Sequence, residues 1–457
     1  MKLTKIIGLL AVLALIVAAC SPSSSEETTT TSGETPTTAE PTGTTAGPAE
    51  TTTTAGGEEN PLAMYGEDPD SADPALIEKA LGPVEPSDQD SWDIIRASIA
   101  RATQDLDQAT IDQAMQCFQN QVCEIAGGGD VVMGYADGGG DQVNVWRAVS
   151  HMEAILQALT YPEIGTIVST AANFEGDPAV NDINFLVQYP VDFIVGYPDW
   201  GAYLAPAISA ATAAGIPYVS FSAGYVGLPG TEGALTPGED YTSVVGEDLC
   251  ALGTSFAEVL NDNVNGGKVG MLGGTPGNAL TLGWQQCAVK TLADGGSQLV
   301  NPPADENSTT GDTYWVNANA LDVVRGLLTT DPDIAGWVYE YSDGMYTALQ
   351  AYDELNIPVQ NLTIALRTDE QTLFCDWVDR AEPTYNIWYS AGGNFQSRTG
   401  VTAAMLALQG APVPGQIIVP HVMRQVTADD CNPNRVNAVV SGTSLVPDDV
   451  LALMFGG

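Results

Sequence analysis

The apolar and polar positions divide the chain into stretches of different period. Ile6 to Val17 is one unbroken apolar run, and Ser21 to Asn60 has no apolar period at all. From Asn60 to Gly129 apolar residues recur at helical spacing, as Ile95 and Ile99 do, and as Ile111, Ala114 and Phe118 do. From Val131 onward short β-prone runs alternate with helical patterns. Strands are expected at Val131–Ala136, Gly165–Thr170, Asp192–Tyr197 and Pro217–Ser222, with helices at Asn144–Leu159, Ala179–Gln188 and Ala202–Ala214 between them. Gly224 to Gly238 interrupts the rhythm with Gly, Pro and Thr before a further strand, Thr242–Gly246.

The rhythm then resumes. Helices are expected at Glu247–Leu260, Asn278–Leu292, Val316–Thr330, Gly344–Leu355 and Ser397–Leu408, and strands at Lys268–Gly273, Ala335–Tyr339, Leu362–Leu366 and Ile387–Ser390. Strands alternating with helices of this length form parallel sheets through right-handed crossovers. Two arrays in series predict an α/β chain of two similar doubly wound lobes joined by a hinge. Residues 130–243 with about 395–425 would make the first lobe, and 244–394 with about 426–457 the second. Residues 61–129 form a helical preface, with a short helix at Ala75–Leu81, expected to pack on the main body.

The start of the chain reads as delivery and tethering. Met1-Lys2-Leu3-Thr4-Lys5 is a basic lead, and the apolar run after it is too short to span a bilayer comfortably. Residues 1–20 end in Val17-Ala18-Ala19-Cys20, which resembles the lipobox of bacterial lipoproteins; that likeness implies acylation of Cys20. Residues 21–60 are almost wholly Ser, Thr, Glu, Pro, Gly and Ala, so they cannot bury enough surface to order themselves and are expected to act as a disordered tether. An extracytoplasmic, lipid-anchored protein is expected, in contact with the membrane only through that lipid.

Charge removes several partners. Lys and Arg number 14 against 57 Asp and Glu, a formal net charge of -43. Nothing supplies the basic footprint of a nucleic-acid-binding protein, or of one drawn to anionic lipid. Of the seven cysteines, six follow Cys20. An even number in an exported chain suggests disulfides. Cys117 and Cys123 are close enough to pair. Cys250 and Cys287 lie on neighbouring helical patterns, which leaves Cys375 for Cys431. A metal site is not expected, since there is no C-x-x-C and only two His residues, far apart. No cofactor is expected either.

The candidate chemistry sits in loops after strands, where open α/β sheets bind ligands. Asp137-Gly138-Gly139-Gly140-Asp141 lacks G-x-G-x-x-G and a Walker lysine, and its carboxylates would repel phosphate. It suits backbone approach to a neutral ligand. Asn144, Trp146 and Arg147 open the next helix, where an aromatic face beside polar groups can hold a sugar ring. Asp199 and Trp200 follow the third strand, and Asn278 follows the first strand of the second lobe. Trp315, then Tyr341, Ser342 and Asp343, then Arg367 and Asp369, then Asn394 and Phe395 occupy equivalent loops. Each has a structural alternative as cap, turn or core residue; six such loops facing one cleft make a pattern. No G-x-S-x-G, no H-E-x-x-H and no Ser-His-Asp set is legible, so no catalytic residue is expected.

From about Val131 to Arg424 the chain resembles the periplasmic sugar-binding proteins of the ribose-binding class, with the periplasmic-binding-protein type 1 fold. The likeness rests on Asn144-Val145-Trp146-Arg147, on Val191-Asp192-Phe193-Ile194-Val195 through Gly215-Ile216-Pro217-Tyr218-Val219, on Gly273-Gly274-Thr275-Pro276-Gly277, and on Tyr339-Glu340-Tyr341-Ser342-Asp343-Gly344-Met345. It implies a sugar or polyol held between aromatics of the two lobes, with Trp315 the aromatic of the second, and delivery to an ABC importer permease. It also implies a monomer and no enzymatic activity; a sensor of the same fold, or an extracellular enzyme on an α/β scaffold, is the alternative. Ser342 and Asp343 match a family Asn-Asp pair. Arg147 stands where the family has an aromatic, Arg367 where it has an Asp, and Ser222-Ala223 where it has Asp-Arg. An arginine in place of an aspartate points towards a sugar acid.

Overall fold

The computed structural model describes residues 60–141, 144–379, 385–432 and 441–456. The expected signal segment, Cys20 and the expected tether up to residue 59 lie outside the described residues. Among the described residues thirteen strands occur, in chain order: β1 (Val122–Glu124), β2 (Val131–Asp137), β3 (Ile164–Ala171), β4 (Phe193–Tyr197), β5 (Tyr218–Ser220), β6 (Ser243–Gly246), β7 (Lys268–Met271), β8 (Gln298–Leu299), β9 (Ile334–Tyr339), β10 (Thr363–Leu366), β11 (Asn386–Tyr389), β12 (Gln416–Ile418) and β13 (Arg424–Gln425). They form two sheets, ordered β1-β3-β2-β4-β5-β6-β12 and β13-β11-β10-β9-β7-β8. All pairings are parallel except at two edges, where β1 runs antiparallel to β3 and β13 to β11.

The result is a two-lobed α/β protein with helices flanking each sheet. Its central strands are covered on both faces, so they read as continuous apolar runs rather than alternating ones. Every residue of β4, β5, β6 and β10 is buried. All the strands expected from the pattern are present. The four additional ones, β1, β8, β12 and β13, have two or three residues each and form by pairing to an edge or to β6, which no period in the sequence announces. Two more helices, Gln371–Asp379 and Asp448–Phe455, were likewise not expected.

Local chemistry sets where helices begin. Asp88, Asp107, Asn144, Asp248 and Asn278 stand at N-caps, each side chain accepting an N–H of the first turn at 2.8 to 3.2 Å. Such a cap stabilises by about 1 kcal/mol relative to alanine. Asn144 and Asn278 are thereby held at the carboxyl ends of β2 and β7.

The helical preface packs against the first lobe. Ser98 Oγ lies 2.9 Å from Thr399 Oγ1, Ser91 Oγ accepts from the Ile418 amide at 3.0 Å, and Tyr161 donates to Glu67 at 2.9 Å. Three disulfides close loops in the pairing the spacing suggested: Cys117–Cys123, Cys250–Cys287 and Cys375–Cys431. Among the described residues the chain passes between the two sheets three times: after β6, after β11 into the helix Gln396–Leu408, and between β12 and β13. At the first crossing Glu247 pairs with Arg367, which follows β10, at 2.9 Å.

Candidate functional site

The carboxyl ends of the strands of both sheets meet at one cleft. A cavity there is lined by Asn144, Trp146, Arg147, Tyr197 and Ser222 from the first lobe and by Leu280, Trp315, Glu340, Tyr341, Arg367 and Thr368 from the second. The lobes are closed over it. Asn278 Nδ2 donates to the Asp199 carbonyl at 2.8 Å, Asn144 Nδ2 to the Trp315 carbonyl at 3.4 Å, and Trp146 Nε1 to the Gly392 carbonyl at 2.7 Å. The space open to the centre of a water molecule is only about 30 Å³. A ligand larger than a few atoms enters only if the lobes part.

Aromatic rings make the walls. Trp315 meets Tyr197 edge-on across the cleft, with centroids 6.3 Å apart, and Phe174 at the same distance. Trp146 lies edge-on to Tyr197 at 6.4 Å. The Trp315 ring lies flat against Gly274, where an added Cβ would fall 2.0 Å from the indole; only glycine leaves room for it.

The backbone at this cleft is held in unusual conformations. Asn173 and Phe174, Ser222 and Ala223, and Tyr314 and Trp315 are three consecutive pairs with φ between 51° and 60°. A left-handed conformation at a bulky residue costs about 1–3 kcal/mol, and such positions cluster at ligand sites. Of these residues Ser222 and Trp315 line the cavity, and Phe174 meets Trp315.

The ionised groups are arranged in buried pairs. Arg147 sits between Asp137, at 3.1 Å, and Asp199, at 2.6 Å. Burial works against the guanidinium, but Asp199 and Asp137 outweigh it and hold Arg147 above its ordinary value. One guanidinium cannot compensate two buried carboxylates. Burial accordingly pushes Asp137 up, and Asp199 up to about 7, with Arg147 offsetting part of the rise. In the second pair burial opposes both charges, yet mutual attraction wins: Glu247 is lowered and Arg367 raised. Glu340 is raised by burial, against hydrogen bonds from Thr281, Trp284 and Trp315; the Trp315 indole N–H reaches it at 2.6 Å. Ser222 is fully buried, lines the cavity, and its hydroxyl has no hydrogen-bond partner among the described residues.

Six of the residues expected to contact ligand line this cavity: Asn144, Trp146, Arg147, Trp315, Tyr341 and Arg367. The others stand behind it or elsewhere. Asp199 backs Arg147, and Asn278 caps the helix Ala279–Asp294 while bridging the lobes. Trp200 packs partly buried beside Gly176. Ser342 donates to the Glu370 carboxylate, and Asp343 accepts from Asn317 at 2.7 Å. Asp369 accepts the Thr443 amide at 2.8 Å and the Ser441 hydroxyl. Asn394 braces Trp146 by donating to its carbonyl at 3.0 Å, and Phe395 is core. Asp369 belongs instead to a larger hollow of about 790 Å³, with Glu78, Tyr389 and Arg424. The cleft is the better candidate because both sheets present their carboxyl ends to it.

Tyr197, Ser222, Leu280, Glu340 and Thr368 were not among the expected contacts. Glu340 and Thr368 adjoin expected residues, Ser222 stands where the family pattern changes, and Tyr197 ends an expected strand. Only Leu280, inside a helix, carried no signal.

Two parallel-sheet lobes, joined by three crossings and meeting at an aromatic-walled cleft, define a hinged binding protein. The chain belongs to the periplasmic binding protein domain family, whose model matches residues 140–412. Among curated proteins there is no match. Similar solved structures include an ABC transporter periplasmic solute-binding protein from Actinobacillus succinogenes with bound D-allose. It is 18% identical, with 64% of this chain and 97% of that one covered, at a TM-score of 0.52. The binding component of the arabinose ABC transporter from Shewanella, bound to L-arabinofuranose, is 15% identical over 65% of this chain and 92% of that one, at 0.54. A Mycobacterium smegmatis protein in complex with β-D-fucofuranose is 16% identical over 71% and 98%, at 0.54. At these identities the likeness shows the fold.

Proposed function

We propose that this chain is an extracytoplasmic solute-binding lipoprotein that captures a neutral sugar or polyol between its lobes and presents it to an ABC importer permease. The observation that carries the reading is the cleft cavity, with aromatic faces from both lobes and the unpartnered Ser222 hydroxyl between them. Apolar ring faces stack on aromatics while hydroxyls meet fixed donors and acceptors. Family membership and the sugars bound to the similar structures support it.

The wall's charges favour a neutral ligand over the sugar acid suggested by the two arginines. Arg147 and Arg367 are already met by Asp137, Asp199 and Glu247, and Glu340 adds a fourth carboxylate. An incoming carboxylate would find no uncompensated cation and would lose its hydration. Binding proceeds without a covalent step: the hinge opens, admits the ligand, and closes on it. Cys20 and residues 21–60 serve as anchor and tether. The lobes are assigned as 130–243 with about 395–425, and 244–394 with about 426–457.

A thermal-shift screen of purified protein against neutral sugars, polyols, sugar acids, nucleosides and amino acids tests the reading. A ligand that binds only the folded state raises the melting temperature by mass action. A rise with neutral sugars or polyols is expected. A rise only with sugar acids would overturn the charge argument, and a rise only with nucleosides or amino acids would overturn the sugar assignment.

A further inference from the structure

A hollow of about 310 Å³, separate from the cleft cavity, adjoins β2 and β3. Its floor is aromatic. The Tyr135 ring stacks on the His151 imidazole with centroids 4.5 Å apart and an interplanar angle of 13°, and Phe118 lies 5.5 Å from the same imidazole. The imidazole is fixed at both nitrogens, Nδ1 lying 2.8 Å from Asp141 and Nε2 2.9 Å from Ser169 Oγ. That line has the order of a hydrolytic relay, which the sequence alone did not reveal. The ring is only 5% exposed, however, and the Ser169 amide donates to the Gln121 carbonyl. The imidazole is therefore a wall of the hollow, not a base poised over a substrate.

The hollow is lined by three carboxylates beside the amides of Gln119, Asn120 and Gln121. Asp137, Asp141 and Asp182 line it, and no Lys or Arg does. Tyr135 is fully buried, and its Oη has no hydrogen-bond partner among the described residues; the same holds for Oδ2 of the buried Asp137 and for Oδ2 of Asp182. Burial pushes Asp182 up to about 6, the response of a carboxylate with no cation beside it. Among the described residues no group of three or more His, Cys, Asp or Glu is placed to hold a metal ion. An occupant that supplies several N–H donors, carries positive charge and has an apolar stem matches these walls.

We propose that this hollow is a second binding site, taking a small organic ammonium ion with its stem against Phe118 and its N–H groups directed to Asp137, Asp182 and the Tyr135 hydroxyl. The site communicates with the cleft. Asp137 Oδ1 holds Arg147 at 3.1 Å and the Gly139 amide at 2.9 Å, so a cation drawn to Asp137 competes with the guanidinium that lines the cleft.

Calorimetric titration of the purified protein with n-butylammonium tests this, with 1-butanol as the uncharged counterpart and about 0.15 M salt to screen diffuse attraction. Binding at one site is expected, tighter than for butanol by about tenfold or more. Asp182→Asn should weaken it, and so should Tyr135→Phe, which removes only the unpartnered oxygen and keeps the ring. Asp429→Asn, remote from the hollow, should leave it unchanged. Equal affinity for butanol, unchanged affinity in both hollow variants, or equal weakening by Asp429→Asn would each overturn the proposal.

Discussion

Trp315→Ala tests the cleft most directly. The indole lines the cavity, is 6% exposed, lies against Gly274 and meets Tyr197 and Phe174 of the other lobe. If its face is the wall on which a sugar ring rests, its loss removes a central anchor, worth about 2 kcal/mol or more. That is about a 30-fold rise in Kd. The substitution also takes an N–H donor from Glu340, whose other oxygen keeps its bond from Trp284. An acceptor left without its donor costs about 1–3 kcal/mol of stability. Trp315→Phe separates the two effects: it keeps a ring and loses the donor. Calorimetry with the tightest-binding sugar of the screen, beside melting temperatures, gives the comparison. Expected are a large affinity loss in the alanine variant, a small one in the phenylalanine variant, and a lowered melting temperature in both. A folded alanine variant that binds within about twofold of the parent, a difference well under 1 kcal/mol, would refute the reasoning.

Four further outcomes are expected. Arg147→Met leaves Asp137 and Asp199 buried without their cation and should destabilise by about 3–5 kcal/mol, read by denaturant unfolding; an unchanged midpoint would refute the ion-pair account. Ser222→Ala should weaken sugar binding by about 2- to 10-fold, the net worth of one hydrogen bond, with the melting temperature unchanged, because its hydroxyl has no partner to lose. Glu370 is fully buried and pushed from 4.5 up to about 7, chiefly by burial; the folded state then holds a proton that the unfolded state has released. That contribution is complete below about 4.5 and is lost as pH rises through about 7, so the fall in melting temperature across this window should flatten in Glu370→Gln. Cys20→Ala should move the protein from the membrane to the soluble fraction; retention on membranes would refute the lipid anchor.

The sequence was sufficient for the architecture because burial on both faces of a parallel sheet leaves a signal that survives without neighbours: short apolar runs, spaced by helices, closed by Gly and Pro. The helix caps were legible for the same reason, since Asn144 and Asn278 act within their own first turns. Short edge strands such as β1 and β8 were not legible, because pairing rather than period creates them.

The cleft loops were also readable, but which residue in each loop faces the cavity was not. Past the strand end the chain leaves the pleat, so the period of two no longer sets the face a side chain takes, and neighbouring residues can share the cavity. At the end of β4, Tyr197 lines the cavity and Asp199 turns behind it to Arg147. After β10, Arg367 and Thr368 line it and Asp369 turns away to Thr443. At β9, Glu340 and Tyr341 line it while Ser342 and Asp343 bind Glu370 and Asn317.

The charge of the site lay wholly in the tertiary structure. In the chain, Arg147 and Arg367 read as free cations. Folding brings them against Asp199, 52 residues away, and Glu247, 120 residues away. Sequence determined the lobes, the loops and the caps, whose causes are local or periodic. Tertiary structure alone decided the facing of each loop residue and the pairing of each charge, because both depend on groups that meet only when the sheets are assembled and the lobes closed.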